Sequence, residues 1–382
     1  MNLPLSGITV IELGHSVAAP FAGQVLGDLG ARVIKVENPD GGDDARAWGP
    51  PFWHGSSATF QSLNRNKLSV TVDLKDPDDC ARLRALIVGE ADVMIQNMRP
   101  GLVERYGLDQ RLREENRRLV YCNLGAFGAG GPLSDRPGYD PLMQAFGGIM
   151  SVTGEPERPP VRVGPSIIDM GSALWSVIGI LCALEQRHRS GVGCTVDTSL
   201  YETSLSWMTI PVAIALASGR DPGRNGSEAS MIVPYKAYRA ADRYLIIAAG
   251  NDALFRRLSG ALGRPEWAED PRFADNSARI ENRRALNAMI DAIVERESAD
   301  HWLAKLDAVG VPAAPLQKVS EVLAHAQTQA LGMMQPVGDG AMSLMSLPLR
   351  IDGERFPFRS SPPALGADNE QVFGTRPPED PP

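Results

Sequence analysis

The sequence predicts an α/β protein: a mostly parallel sheet with helices, plus a second, smaller α+β unit. Three observations predict it. The first third alternates short β-branched runs with helically spaced segments, a Gly/Asp/Arg/Ser-rich stretch interrupts the chain, and a hairpin pattern followed by three helical patterns lies beyond it. Strands alternating with helices imply βαβ units, a parallel sheet and right-handed crossovers.

Taken in order, "GITVIELG" is a β-branched run ended by glycine, and "APFAGQVLGDLG" has helical spacing with small residues. "ARVIKVENP" is a second strand of buried type, stopped by Pro39. The order then repeats with "KLSVTVDL" (strand), "DPDDCARLRALIVGE" (helix, Asp76 its cap before Pro77) and "ADVMIQNM" (strand), and "RLVYCNLGAFG" adds another strand. From Asp169 the pattern is helical through Arg187, with Gly191 as a stop signal. "CTVDTSLYETSLSWM" reads as strand then helix, and "ASGRDPGRNGSEAS" marks a linker. "YKAYRAADRYLIIAAG" reads as a hairpin, followed by helices around 252–262, 283–297 and 299–309, with short strands resuming from Gln335 and "EDPP" as a frayed end.

Composition removes several function classes. The chain has 382 residues, 43% hydrophobic and 22% charged, enough for two or three domains with a sizeable core. A net charge of −8 opposes a general nucleic-acid role, which needs a basic surface. Cys80, Cys122, Cys182 and Cys194 show no C-x-x-C spacing and read as reduced thiols. The N-terminus lacks the pattern of a signal peptide and no apolar run reaches the ~18–20 residues needed for a membrane span, so the expectation is a cytoplasmic protein with no membrane partner. Five scattered histidines without i, i+4 pairing give no metal site. "GPSII" is not the G-x-S-x-G of a serine hydrolase, and "GHSVAAPFAG" after the first strand is not G-x-G-x-x-G.

Asp169 stands directly before an uncharged helical run that extends to Leu184. The ordinary reading is an N-cap, and a catalytic carboxylate is the other. A nucleophilic carboxylate needs ionisation, which a helix start favours, and partial desolvation, which apolar surroundings supply. His15 follows the first strand, where ligands bind in open α/β sheets. Arg65, Lys67 and Lys75, together with Arg99 and Arg105, place positive charge near strand ends, enough for a phosphate group.

Together, "GITVIELGHSVAAPFAGQVLGDLGARVIKVENPDGGDDAR", "NRNKLSVTVDLKDPDD", "ADVMIQNMRPG", "GYDPLMQAFGGIMSVTGEP", "DMGSALWSVIGILCALEQRHRSGVGCTVDTSLYE" and "DPRFADNSARIENRRALNAMI" resemble, in order, the family III CoA-transferases. That family (the CaiB/BaiF group) contains formyl-CoA transferase, carnitine CoA-transferase and α-methylacyl-CoA racemase. The resemblance implies a Rossmann-like large domain built from both chain ends, a small domain, and two subunits threaded as interlocked rings. It sets expected boundaries: 1–200 as the large domain completed by 330–382, 201–230 as a linker, 231–315 as the small domain, and 316–335 as the return linker. It also implies Asp169 as the nucleophile, CoA contacts at His15, Ser16, Asn38, Lys75, Asn97, Met98, Arg105, Tyr139 and Asp140, and substrate contacts at Gly250 and Asn251. Coenzyme A would be a substrate rather than a resident cofactor. The expected partners are acyl-CoA, small carboxylic acids and a second copy of the chain.

Two departures bear on substrate. Val17 replaces a glutamine of formyl-CoA transferase, and "IIAAGND" keeps only Gly250 of its glycine run. Both oppose formyl-CoA and oxalate as the pair and leave a short dicarboxylic donor such as succinyl-CoA favoured. The racemase branch carries a "G-H-D" motif where this chain reads "GYD", and a tyrosine with an ordinary pKa near 10 is a poor base. A CoA-binding scaffold is opposed by the presence of Asp169. A hydrolase that passes the acyl group to water is a further activity compatible with a nucleophilic carboxylate.

Overall fold

The computed structural model describes residues 3–338 and 340–374; the terminal EDPP lies outside them. The chain divides into two units: Met1–Ile149 with Arg162–Arg220 and Gln329–Pro382, and Met150–Val161 with Asp221–Thr328.

The first unit is built on six parallel strands: β1 (Thr9–Leu13), β2 (Arg32–Glu37), β3 (Lys67–Thr71), β4 (Val93–Gln96), β5 (Val120–Gly125) and β6 (Thr195–Ser199). Their order across the sheet is β3-β2-β1-β4-β5-β6. The order reverses between β1 and β4, so a crevice opens at their carboxyl ends. Both faces are covered. Val10, Val33, Val93, Ile95, Val120 and Cys122 pack with helices α1 (Ala18–Asp28) and α4 (Ile167–Ser190). Ile11, Ile34, Val70, Met94 and Tyr121 pack on the other face with Leu83, Leu86 and Ile87 of α2 (Pro77–Glu90). Between α2 and α4 in the chain, the short α3 (Asp140–Phe146) follows β5. Asp76 caps α2 through Asp78 N–H, and Gly191 ends α4 in the left-handed conformation, as the sequence indicates.

On the α1 face the apolar pattern turns ionic toward the strand ends. Glu12 of β1 lies opposite Lys35 of β2. Lys35 Nζ meets Glu12 Oε1 at 2.9 Å and Asp43 Oδ2 at 2.8 Å, and Lys67 Nζ of β3 meets Glu12 Oε2 at 2.7 Å, all without solvent exposure. Buried charges persist only when paired, and here the pairs bridge three adjacent strands. Helix α1 fits over them because it presents small residues. A Cβ on Gly23 would stand 2.0 Å from Glu12 Oε2.

The edge strand β3 is closed by the C-terminal segment. Asp368 Oδ2 accepts Ser69 N–H at 2.8 Å and Asn369 Oδ1 accepts Thr71 N–H at 2.8 Å. Arg359 reaches the carbonyls of Gly27 and Ala31, and Asn66 Oδ1 receives the N–H groups of Arg359 and Ser360.

The stretch at the start of the linker expected at 201–230 is helical, as α5 (Leu200–Trp207) and α6 (Thr209–Ser218). The expectation that no segment has the length and apolarity of a membrane span is also corrected: α4 has both, and so does the bent pair α5–α6 taken together. Half of α4 nevertheless packs on the sheet through Ile168, Ala173, Val177, Ile180 and Ala183, and Arg187 is buried beside Asp92. Its other side exposes Leu174, Trp175, Ile178 and Leu181.

The second unit holds an antiparallel sheet of β7 (Tyr235–Arg239), β8 (Tyr244–Ala248) and β9 (Ala313–Pro315) in the order β9-β8-β7. Helices α7 (Asp252–Ala261), α8 (Arg283–Val294) and α9 (Ala299–Asp307) pack on it through Phe255, Leu258, Leu286, Ile290, Trp302 and Leu306. In the first unit, Met334–Val337 and Met342–Met345 pair as a hairpin.

Replacing glycine by alanine inside an open helix gains about 1 kcal/mol. Gly23→Ala should instead lose about 1–3 kcal/mol through overpacking of the Glu12–Lys67 pair. Urea unfolding measures this, and a stabilised variant would show that the pair yields freely.

Candidate active site

The crevice beyond β1, β4 and β5 holds a cavity of about 400 Å³. His15, Ser16, Asn97, Met98, Tyr139, Asp140 and Asp169 all line it, although they come from separate stretches of sequence. A second hollow of about 290 Å³ adjoins it at His15 and Met98 and is lined by Asn38 and Lys75. Arg105 lines neither; it is exposed, with its guanidinium 5.6 Å from the Tyr106 ring centre. Gly250 and Asn251 belong to the second unit, where the Asn251 side chain caps α7 by accepting Leu254 N–H.

The turn after β1 is fixed from two sides. Asn97, one residue past β4, accepts His15 N–H with Oδ1 and donates Nδ2–H to His15 C=O, each at 3.0 Å. Asp43, in the loop after β2, accepts Ser16 N–H at 2.9 Å and Ala45 N–H at 2.9 Å with Oδ1. Ser16 is thereby held at φ 71°, a left-handed conformation rare outside glycine. Gly14 leaves room for this approach, since a Cβ there would meet Ala19 Cβ at 2.4 Å.

Electrostatics follow from the ion cluster beneath. Burial works against the Asp43 carboxylate, but Lys35 and the Ser16 and Ala45 N–H groups outweigh it and hold its pKa below the usual range. Lys35 is likewise disfavoured by burial, yet Glu12, Asp43 and Glu37 keep it charged and push its pKa up. His15 is shifted down, chiefly by burial against the opposing pull of Asp43 and Asp44, and is neutral near pH 7, with Nδ1 2.9 Å from Ser16 Oγ.

Asp169 is not the cap of its helix. The N-cap position of α4 is Ser166, which makes no side-chain cap, and Asp169 stands three residues further on. Capping falls to Asp140, whose Oδ2 accepts Ile168 N–H at 2.7 Å and Asp169 N–H at 3.3 Å. The Asp169 carboxyl itself accepts no hydrogen bond and meets no cation among the described residues. Burial first, and the Asp140 charge second, push its pKa up to about 7.

These bonds leave few backbone donors for an oxyanion. The N–H groups of His15, Ser16, Ile168 and Asp169 are spent on Asn97, Asp43 and Asp140. The first turn of α1, where Val17 and Ala18 line the cavity and Val17 provides no side-chain cap, is the remaining candidate. Sequence reasoning does not single out Asp43, Lys35 or Gln144 as site residues. "GGDD" marks a loop but carries no sign that one aspartate turns inward. Arg99 and Arg136 line the cavity and form no ion pair among the described residues. Among those residues no group of three His, Cys, Asp or Glu side chains is placed to hold a metal ion.

The profile of the family described as "CoA-transferase family III" matches residues 5–369. The chain is similar to succinate–glutarate CoA-transferase of Agrobacterium fabrum, 41% identical over 97% of this chain and 95% of that protein. It is similar to acetyl-CoA:oxalate CoA-transferase of Acetobacter aceti, 38% identical over 92% and 90%. A crystal structure of a CaiB/BaiF family protein from Brucella suis superposes with a TM-score of 0.88, at 40% identity, over 97% of this chain and 99% of that one.

An unfolded Asp169 releases its proton near the ordinary value of 3.8, whereas the folded one holds it to about 7. Ionisation therefore penalises the folded state as pH rises through this interval, and the penalty is constant above it. Asp169→Asn should be more stable than the parent by roughly 2–4 kcal/mol at about pH 8 and within about 0.5 kcal/mol of it at about pH 4. Urea unfolding at both pH values decides the matter, and equal stability at the higher pH would contradict a destabilised carboxylate.

Proposed function

The chain belongs to CoA-transferase family III and is a CoA-transferase by that membership, and from that premise we propose that Asp169 is its nucleophile and that short dicarboxylic acids are its partners. The observation that carries this reading is the Asp169 carboxyl: on the cavity wall, free of hydrogen bonds, desolvated, and titrating near neutrality.

The Asp169 carboxylate attacks the thioester carbon of the donor. The C–S bond breaks, CoA leaves as thiolate with the electron pair, and an aspartyl mixed anhydride remains. The thiolate then attacks the aspartyl carbonyl, expelling the donor carboxylate and leaving an aspartyl-CoA thioester. The acceptor carboxylate attacks that thioester in turn, forming a new mixed anhydride and releasing thiolate again. Attack of the thiolate on the acceptor's carbonyl gives the product and returns Asp169. Every intermediate is open to hydrolysis, so a cavity that excludes water serves the reaction. Holding the thiolate beside the anhydride supplies an effective concentration of about 10⁵ M or more. The N–H groups of Val17 and Ala18 at the start of α1 would receive the developing oxyanions.

Coenzyme A would run from this cavity into the adjoining hollow. There Asn38 and Lys75 line the wall, with Lys75 at the surface for a phosphate. Arg105 on the nearby surface is the second phosphate partner. His15 and Met98, shared by both cavities, would contact the pantetheine arm between them. Two supports point to a dicarboxylic acid: similar proteins are named for succinate and glutarate or for succinyl-CoA and D-citramalate, and Arg99 and Arg136 at the cavity form no ion pair among the described residues. Gly250 and Asn251 of the second unit are kept as candidate substrate residues.

A second copy of the chain, threaded as interlocked rings, is proposed as the partner. Its support is apolar surface on the first unit, including Trp175 and Ile178 of α4, Trp207 of α5, and Ile210 and Leu216 of α6, the last 82% exposed. Helix α6 buries none of its residues within one chain.

With succinyl-CoA and a panel of mono- and dicarboxylic acids, CoA transfer should be fastest to a dicarboxylic acceptor. Asp169→Ala should lose about 10³-fold or more in kcat. Hydroxylamine added during turnover should leave a hydroxamate at Asp169, read by peptide mass spectrometry. Full activity in Asp169→Asn, or turnover without the adduct, would refute the mechanism.

A further inference from the structure

Two carboxylates meet at the first turn of α4: Asp169 belongs to it, and Asp140 of α3 bonds to its backbone. Asp140 is 2% exposed. Its Oδ1 accepts Gln144 Nε2–H at 2.6 Å, and its Oδ2 accepts the N–H groups of Ile168 and Asp169. Gln144 in turn accepts Val163 N–H at 2.8 Å, fixing the segment that leads into α4. No lysine or arginine forms an ion pair with Asp140 or Asp169 among the described residues. A residue held in this way serves α4 more directly than it serves a ligand. The motif match, in contrast, reads Asp140 as a CoA contact.

We infer that Asp140 is a positioning residue for the transfer: it caps α4 from outside and sets a second negative charge beside Asp169, a repulsion that acylation of Asp169 relieves. This rests on the reading of Asp169 as the nucleophile. When the Asp169 oxygen bonds to the thioester carbon and the C–S bond breaks, the electron pair leaves on the CoA sulfur. The Asp169 side chain becomes a neutral anhydride, so Asp140 no longer faces a like charge. The same holds for the aspartyl-CoA thioester. Asp140 therefore weakens the free carboxylate relative to both covalent states, which raises its reactivity and favours their accumulation. Of the titratable and charged groups on the cavity wall, His15, Asp44, Arg99, Arg136, Tyr139 and Asp140, only Asp140 acts on Asp169 appreciably, and its effect has the same direction as burial.

The test is the pH profile of kcat/KM with succinyl-CoA, together with hydroxylamine trapping. Asp140→Asn keeps an acceptor for Ile168 N–H but removes the charge. Its ascending limb should move to lower pH by about one unit, and the fraction of enzyme trapped at Asp169 should fall at least about threefold. Asp140→Glu, which keeps the charge, should leave the limb near the parent position. Asp140→Ser, also uncharged and able to accept a hydrogen bond, gives the same reading should the asparagine variant fail to fold. A limb that stays in place while activity falls equally at every pH would overturn the inference and leave Asp140 a structural cap. Absence of any adduct at Asp169 in the parent enzyme would instead overturn the nucleophile reading, so the two failures are distinguishable.

Discussion

The cavity depends on one buried cation. Lys35 Nζ is shared by Glu12 Oε1, Asp43 Oδ2 and the Gly14 carbonyl, and it has no contact with solvent. Those three acceptors belong to β1, to the loop after β2 and to the turn after β1. One ammonium group therefore fixes the relative positions of three segments that meet at the catalytic crevice. Exchanging the whole cluster for apolar side chains of the same volume could be nearly neutral, but removing Lys35 alone should cost about 3–5 kcal/mol. Its removal would leave Asp43 unneutralised, and Asp43 is what accepts Ser16 N–H and holds the left-handed turn. The ion cluster thus sets the geometry at the mouth of the sheet, and each of its members depends on the others to stay charged.

The parallel sheet is legible in the sequence because its strands carry a signal that depends on no distant partner. β1, β2 and β4 are β-branched runs buried on both faces, and glycine or proline ends them within a few residues. The cap of α2 and the stop of α4 are equally local. At α5 the local pattern also reads as helix; the linker expected from 201 onward comes with the resemblance, and Pro211 is accommodated in the first turn of α6, where a missing N–H costs nothing. Residues 150–161, grouped with the second unit, hold three prolines and three charged residues, a composition that marks a loop but not the unit it joins.

At the site, Asp169 stands out in the sequence for a reason only partly right. Its place before an uncharged helix suggests a cap, but the capping oxygen comes from Asp140, twenty-nine residues earlier. A cap supplied from a distance leaves no mark in the sequence beside the helix it serves. The same holds for Asn97, whose amide is spent on the His15 backbone although it also lines the cavity. Residue type at a strand end is enough to locate the crevice. Which side chains build it and which face a ligand depends on bonds made across 28 to 82 residues of chain.

The C-terminal closure of β3 has a consequence for biosynthesis. Ser69 and Thr71 wait for Asp368 and Asn369, so the edge of the large sheet is unsealed until almost the entire chain has left the ribosome. The apolar core of the second unit, by contrast, is drawn from one continuous stretch between Val233 and Val311. Domains fold as units during synthesis. The unit encoded in the middle can therefore close first, while the one containing Asp169 is completed last.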